Sequence, residues 1–235
     1  MPAGGNKDLG QSVILLLAIT SYYCSIAFDV RSSDIKITVR FGGYMELISQ
    51  AIRFAAAVFD GKKRKGNGGP SIFHALEAGT IAASLTTDEE ILSAAVLHDV
   101  IEDEGITPEE LEKRFGARVK NLVNAETEDK RRDLPADATW HIRKQEAIDI
   151  LKNSSDTGIK IIFLSDKLSN LRSLYVDLYR RGDEIWQQFN QKDPREHYWY
   201  FRSIADALSE LKEFPAWQEY DSLICRIFKR YDTGK

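Results

Sequence analysis

Cysteine is nearly absent: Cys24 and Cys225 lie far apart, and neither has a CxxC or Cys/His spacing around it. Neither a disulfide framework nor a zinc ribbon is indicated, and a reducing, cytoplasmic setting is expected. An excess of positive charge is also missing. Lys and Arg number 32 against 36 Asp and Glu, a net charge of −4, which argues against a surface that grips nucleic acid as a whole. A local basic site for a phosphorylated small molecule remains open. No apolar run is long enough to be a clear membrane helix. The nearest, Ser12–Phe28, spans 17 positions and includes several hydroxyl residues, whereas a span needs about 20 apolar ones. The stretch before it, MPAGGNKDLGQ, sets one Lys against one Asp, and no clear small-residue cleavage site follows, which weakens the case for a secretory signal. No internal repeat and no low-complexity tract appears, and no alternating β-branched run follows residue 45.

What is present is a hydrophobic share of 43% against 29% charged, the balance of a chain that buries a core. Residues 1–44 read as an extension whose structure stays open. It is a dispensable segment, a packed accessory or an export element, and Ile35–Phe41 (IKITVRF) alternates as a strand or half a hairpin does. From Met45 the spacing is helical. Leu47, Ile48, Ile52, Ala55, Ala56 and Phe59 mark a first helix ending at Asp60-Gly61. After the loop KKRKGNGGP a second helix runs over Ile72–Leu85. A third, capped by Thr87 with Glu90 three residues on, runs through Val100. Thr107-Pro108-Glu109-Glu110 opens the next, Gly116 closes it, and another runs to about Val123. Helices over about Thr139–Asn153, Gly158–Arg180, Pro194–Glu213 and Trp217–Lys229 complete an all-α bundle of irregular topology, one domain over 45–235.

Chemistry concentrates at Leu97-His98-Asp99-Val100-Ile101-Glu102-Asp103, where ionisable groups follow the apolar run Ile91–Leu97. At about 100° per residue, His98 and Glu102 share a face, as do Asp99 and Asp103. Alone, this is equally a helix end with its charges in water. But His74 lies in an apolar helix opening, and Asp166 interrupts Ile161, Ile162, Phe163, Leu164 and Leu168. A lone His in such a place is commonly a satisfied core residue. A carboxylate inside an apolar run is harder to explain without a cation. Two imidazoles and two carboxylates make a mixed N/O set suited to one Mn²⁺, Fe²⁺ or related divalent ion. The run Lys62-Lys63-Arg64-Lys65 is either a solvated loop, an import signal, a nucleic-acid patch or a phosphate site, and the Gly and Pro around it, with His74 four residues after Pro70, favour phosphate.

The ordered set His … His-Asp … Asp resembles the signature of the HD phosphohydrolase superfamily. The stretches RKGNGGPSIFHA (64–75), VLHDVIEDE (96–104), FGARVKNLVNAETEDK (115–130) and LSDKLSNLR (164–172) resemble its RelA/SpoT-type branch of (p)ppGpp hydrolases and small alarmone hydrolases. That branch reads approximately RKxGxPYIxHP, LLHDxxEDT, FGxxVxxLVxxVTxDK and LADxLxN(M/L)R. The resemblance covers Met45 to about Lys212. It implies an HD-domain fold with His74, His98, Asp99 and Asp166 as metal ligands and Glu102 and Asp103 activating the attacking water. It also implies Arg64 and Lys65 on substrate phosphate, with Lys62 beside them, and Asn170 and Arg172 on substrate. Helical spacing points Arg172 away from Asp166. Ser71, Ala75, Phe59, Lys62 and Phe163 stand where the family has tyrosine, proline, histidine, glutamine and lysine, which bears on base preference and phosphate contact.

The expected activity is hydrolysis of ppGpp or pppGpp to GDP or GTP with release of pyrophosphate, using one divalent ion, most readily Mn²⁺. The partner is a small nucleotide, with no nucleic acid and no membrane. The rivals are an HD enzyme acting on another nucleotide (an adenosine alarmone, a deoxynucleotide or the 2′-phosphate of NADPH), a non-catalytic alarmone-binding module and a nucleic-acid-binding protein. The complete ligand set with Glu102-Asp103 opposes the second, and the absence of an aromatic–basic motif opposes the third.

Overall fold

The alternation in IKITVRF is realised as a strand. The computed structural model describes residues 14–18, 24–31, 34–41, 46–64 and 68–231. The chain divides into two units, Met1–Glu46 and Leu47–Lys235. In the first, β1 (Ile14–Ala18), β2 (Cys24–Arg31) and β3 (Asp34–Phe41) form an antiparallel sheet in the order β1-β2-β3, with Leu16 opposite Ala27 and Ile37 opposite Phe28. Strands thus occupy much of the apolar stretch Ser12–Phe28. Among the described residues no helix is long and apolar enough to cross a membrane.

From Leu47 onward the described residues form helices and turns, with one isolated bridge between Lys63 and Pro70. This is the expected all-α bundle. Helix α1 (Glu46–Val58) buries Ala51, Ala55 and Phe59, while Ile52 faces outward. Helices α2 (Ser71–Ala83) and α3 (Glu89–Leu97) approach closely because position 79 is glycine. A Cβ there would lie 2.5 Å from Val96 Cγ2. Asp88, rather than Thr87, caps α3, its Oδ1 accepting from the amides of Glu90 and Ile91.

The expected single helix through Val100 is broken. It stops at Leu97, turns over His98 and Asp99, and restarts as α4 (Val100–Glu104). The His98 ring takes the Ala95 carbonyl, which an amide four residues on would use in a continuous helix. Thr107 caps α5 (Pro108–Phe115) as expected, and α6 (Ala117–Glu126) follows Gly116, whose φ of 88° suits glycine. Helix α7 (Ala136–Asn153) starts right after Pro135, and α9 (Pro194–Ala207) and α10 (Pro215–Phe228) carry proline at their first positions.

Helix α8 (Thr157–Arg181) is the axis. Of its 25 residues, Ile161 and Ile162 belong to the core cluster that includes residues of α1, α2, α3, α5 and α6, while Phe163, Leu164, Leu168 and Leu171 belong to the one that includes residues of α7, α9 and α10. Every residue from Lys160 to Ser169 is buried, as expected of a helix that lies between two layers of core. Truncating Leu164 or Leu168, both fully buried, to Ala costs about 2–5 kcal/mol. This rigid axis holds Asp166, Lys167, Ser169 and Asn170.

Candidate metal centre and substrate cavity

Three elements supply the candidate metal-ligand set: the first turn of α2 gives His74, the turn after α3 gives His98 and Asp99, and the middle of α8 gives Asp166. His74 Nε2 lies 2.9 Å from Asp166 Oδ1, 3.1 Å from His98 Nε2 and 3.6 Å from Asp99 Oδ2. His98 Nε2 lies 3.1 Å from Asp99 Oδ2 and 3.4 Å from Asp166 Oδ1. The structure therefore brings together all four residues that the sequence separates.

This arrangement fits a cation. His98 Nδ1 lies 2.8 Å from the Ala95 carbonyl, which only accepts, so Nδ1 carries the proton and Nε2 presents a lone pair. That lone pair faces two carboxylate oxygens and a second imidazole in a buried space, a set of acceptors that repel unless a positive charge lies among them. The negative field is strong: burial opposes charge on His98, but the neighbouring Asp99 and Asp166 outweigh it and hold the imidazole well above its usual range, so a proton competes with a cation for Nε2. Burial likewise pushes Asp166 up, and Lys167 with the two imidazoles overrides it, holding the carboxyl well below the usual range.

Two buried residues beside the ligands escaped the sequence reading. Lys167 donates to Asp166 Oδ2 at 2.5 Å and to Glu126 Oε1 at 2.8 Å. A Glu126 oxygen lies within reach of a cation shared with His98 and Asp166. The signal was available, since Glu126 stands where the pattern FGxxVxxLVxxVTxDK has valine. Lys167 leaves Asp166 Oδ1 as the oxygen facing the imidazoles.

Glu102 accepts the Glu128 amide at 3.0 Å and pairs with Lys130 at 3.2 Å. Burial pushes its carboxyl above the ordinary glutamate range, with the Glu128 amide and Lys130 opposing. Asp103 is half exposed and bound to Lys130 at 2.5 Å, so Glu102 is the better protected of the pair.

The basic loop is shaped by bonds from the Arg64 amide to Gly69 and from the Ser71 amide to Lys62. Arg64 thereby reaches Asn170 Oδ1 at 2.6 Å, and Asn170 Nδ2 donates to Asp166 Oδ1 at 2.7 Å. Lys62 pairs instead with Glu104 at 2.7 Å, and Lys65 lies outside the described residues. Arg172 is engaged by Glu77 and Glu219, at 3.0 and 2.6 Å. A cavity of about 200 Å³ opens beside Arg64, Lys167 and Asn170, with Trp140, Phe189 and Tyr200 on its wall. Lys144 Nζ lies 4.8 Å from the Tyr200 ring centre. A larger cavity of about 530 Å³ lies behind α6 and α7, where Glu128, Asp129, Glu146 and Asp149 make it a poor host for an anion.

The chain is similar to known proteins along most of the helical unit. The family described as HD domain matches residues 51–194. The human guanosine-3′,5′-bis(diphosphate) 3′-pyrophosphohydrolase MESH1 is 36% identical over 69% of this chain and 83% of its own length. The Aquifex aeolicus protein named guanosine-3′,5′-bis(diphosphate) 3′-pyrophosphohydrolase is 34% identical over 60% of this chain, which spans about a fifth (20%) of that relative's length. A solved structure described as a metazoan ortholog of SpoT that hydrolyzes ppGpp superposes with a TM-score of 0.63 at 27% identity, covering 79% of this chain and 96% of that one. With the family match spanning residues 51–194 and the human relative 36% identical over 83% of its length, this chain belongs to the HD-domain family.

Proposed function

We propose that this chain hydrolyses the 3′-diphosphate of guanosine alarmones, converting ppGpp or pppGpp to GDP or GTP and pyrophosphate. One observation carries the reading: Asn170 links Arg64 to Asp166, which puts a phosphate-binding cation beside the metal ligands at the mouth of an aromatic-walled cavity. The names of the human and Aquifex relatives point the same way.

Each part has a physical task. Arg64, with Lys65, takes the diphosphate, and Asn170 holds the ribose side next to the metal ligands. The aromatic wall of the cavity suits a nucleobase. A divalent ion, most readily Mn²⁺, held by His74, His98, Asp99 and Asp166 supplies Lewis acidity toward a phosphoryl oxygen and a more acidic water. Glu102, buried and above the usual glutamate range, takes the proton of the attacking water. The bond between the ribose 3′-oxygen and the first phosphorus breaks. Phosphorus keeps the oxygen of the water, and the 3′-oxygen leaves with a proton. The substrate is a small nucleotide, and Cys225, a free thiol, suits a reducing cytoplasm.

The test is product analysis. Purified protein with Mn²⁺ and ppGpp should give GDP and pyrophosphate, with ATP, GTP and deoxynucleotides cut poorly. Adenosine alarmones belong in the same assay because Ser71 replaces the family tyrosine. Inorganic phosphate as the sole product, or no turnover of any 3′-diphosphate, rejects the reading.

A further inference from the structure

His74 and His98 reach the centre of the ligand set through the same atom, Nε2, so both need their proton on Nδ1 before a cation can bind. For His98 the backbone carbonyl of Ala95 does this. His74 has no carbonyl as its Nδ1 partner. Its Nδ1 lies 2.8 Å from the hydroxyl of Ser169, a group that can donate or accept and so fixes nothing alone.

The hydroxyl is oriented from its other side. Ser169 Oγ lies 2.6 Å from Glu77 Oε2, and a carboxylate only accepts. The one hydroxyl proton therefore goes to Glu77, and the lone pair left facing His74 requires a proton on Nδ1. Glu77 is itself held: Arg172 donates to its Oε1 at 3.0 Å while gripping Glu219 with two bonds, 2.6 and 2.7 Å. Ser169 and His74 are buried, whereas the Glu77 side chain is about a third exposed (34%), so its orientation rests on Arg172 rather than on packing.

We propose that Glu77, acting through Ser169 and held by Arg172, is a positioning residue that keeps His74 in the Nδ1–H tautomer and its Nε2 free for a divalent cation. Arg172, implied by family resemblance to touch substrate, serves this chain from α8 to α2 and α10 instead. Without Glu77, the Ser169 hydroxyl is free to donate to Nδ1. The imidazole proton then moves to Nε2 and closes the metal-binding face. The inference rests on the metal-site reading but not on the nucleotide that is cleaved. Outer partners of metal-bound histidines are worth about ten- to a hundredfold in affinity.

The experiment is a Mn²⁺ titration followed by electron paramagnetic resonance of the free ion, on the wild-type chain and on Glu77→Ala, Glu77→Gln and Ser169→Ala. Glu77→Ala and Ser169→Ala should weaken Mn²⁺ binding about ten- to a hundredfold. Glu77→Gln, whose amide oxygen still accepts the hydroxyl proton, should recover most of that loss. The unfolding midpoint of Glu77→Ala in chelator should match the wild type, since a side chain about a third exposed is removed and only the metal face changes. If Ser169→Ala does not fold, the Glu77 pair decides alone. Wild-type Mn²⁺ affinity in Glu77→Ala, or no recovery in Glu77→Gln, overturns the relay. A wild-type chain that binds no Mn²⁺ overturns the metal reading and the relay with it.

Discussion

Arg64 donates a 2.6 Å hydrogen bond to Asn170 across 106 positions of the chain, so the basic loop and the central helix meet before substrate arrives. The pair acts as a unit. Arg64→Ala should chiefly raise KM for ppGpp, by about tenfold or more, because a charged hydrogen bond to phosphate contributes about 1.5–3 kcal/mol. Asn170→Ala should lower kcat as well, since Asn170 also bonds Asp166. The double variant should fall short of the summed effects by about 0.5 kcal/mol or more. Strict additivity in a double-mutant cycle on kcat/KM would show that the contact is incidental.

Metal removal should be reversible and stoichiometric. Among the described residues two ligand groups are possible, His74-His98-Asp99 and His98-Glu126-Asp166; they share His98, and Lys167 already places a positive charge between Asp166 and Glu126. About one ion per chain is expected, with activity lost on chelation and restored by Mn²⁺. Asp166→Ala and His98→Ala should abolish both metal content and turnover, measured by elemental analysis beside the assay. Full activity after exhaustive chelation contradicts this.

The unit Leu47–Lys235 contains every residue of the site. A chain beginning at Met45 should therefore fold and hydrolyse substrate at a rate comparable with the full chain. An insoluble or inactive truncation assigns residues 1–44 a packing role.

Much of this was legible in the sequence because the signals were local. Thr107-Pro108 and Gly116 bound α5 through capping chemistry that needs no partner, and the alternation of IKITVRF appears as β3. The candidate ligands could be picked out because a carboxylate at Asp166 stands out within an apolar run, although its partner Lys167 could not be read there. The break at His98 was not legible, since it depends on the ring capturing the Ala95 carbonyl. Nor were the partners of Lys62 and Arg172, because Glu104 and Glu219 reach them only through the fold. Glu126 and Lys167 were missed for a different reason: each reads as an ordinary surface charge until its helix is packed, and burial then makes them a pair.

Asp88 offers a stability test whose pH dependence has a definite sign. It caps α3 and pairs with Arg118 at 2.7 Å. Burial pushes its carboxyl up, but the Arg118 guanidinium and the Ile91 and Glu90 amides together outweigh this, so its pKa lies below the ordinary value of 3.8. The charge-dependent stabilisation is present above that ordinary value and fades as pH falls through the depressed one. Asp88→Ala should cost about 1 kcal/mol at neutral pH. In denaturant titrations the gap to wild type should narrow only in strong acid. A gap that widens on acidification contradicts the assignment.

The base itself can be tested through the residue that opposes its burial. Glu102 must be ionised to take a proton, so kcat/KM falls as pH drops through its pKa. Burial places that limb above the ordinary 4.5, with the Glu128 amide and Lys130 holding it partly down. Lys130 lies 3.2 Å from Glu102 Oε1. Lys130→Met removes a positive charge that favours the carboxylate, so the Glu102 pKa should rise further and the acid limb of the pH–rate profile should move to higher pH. At the alkaline plateau, where Glu102 is ionised in both proteins, the variant should keep most of its turnover. Glu102→Gln in the same assay should lower turnover by about a hundredfold or more at every pH while metal content is unchanged. A limb that stays fixed or moves to lower pH in Lys130→Met, or a Glu102→Gln protein that has lost its metal, would mean that Glu102 is a ligand or a structural group and that the proton goes elsewhere.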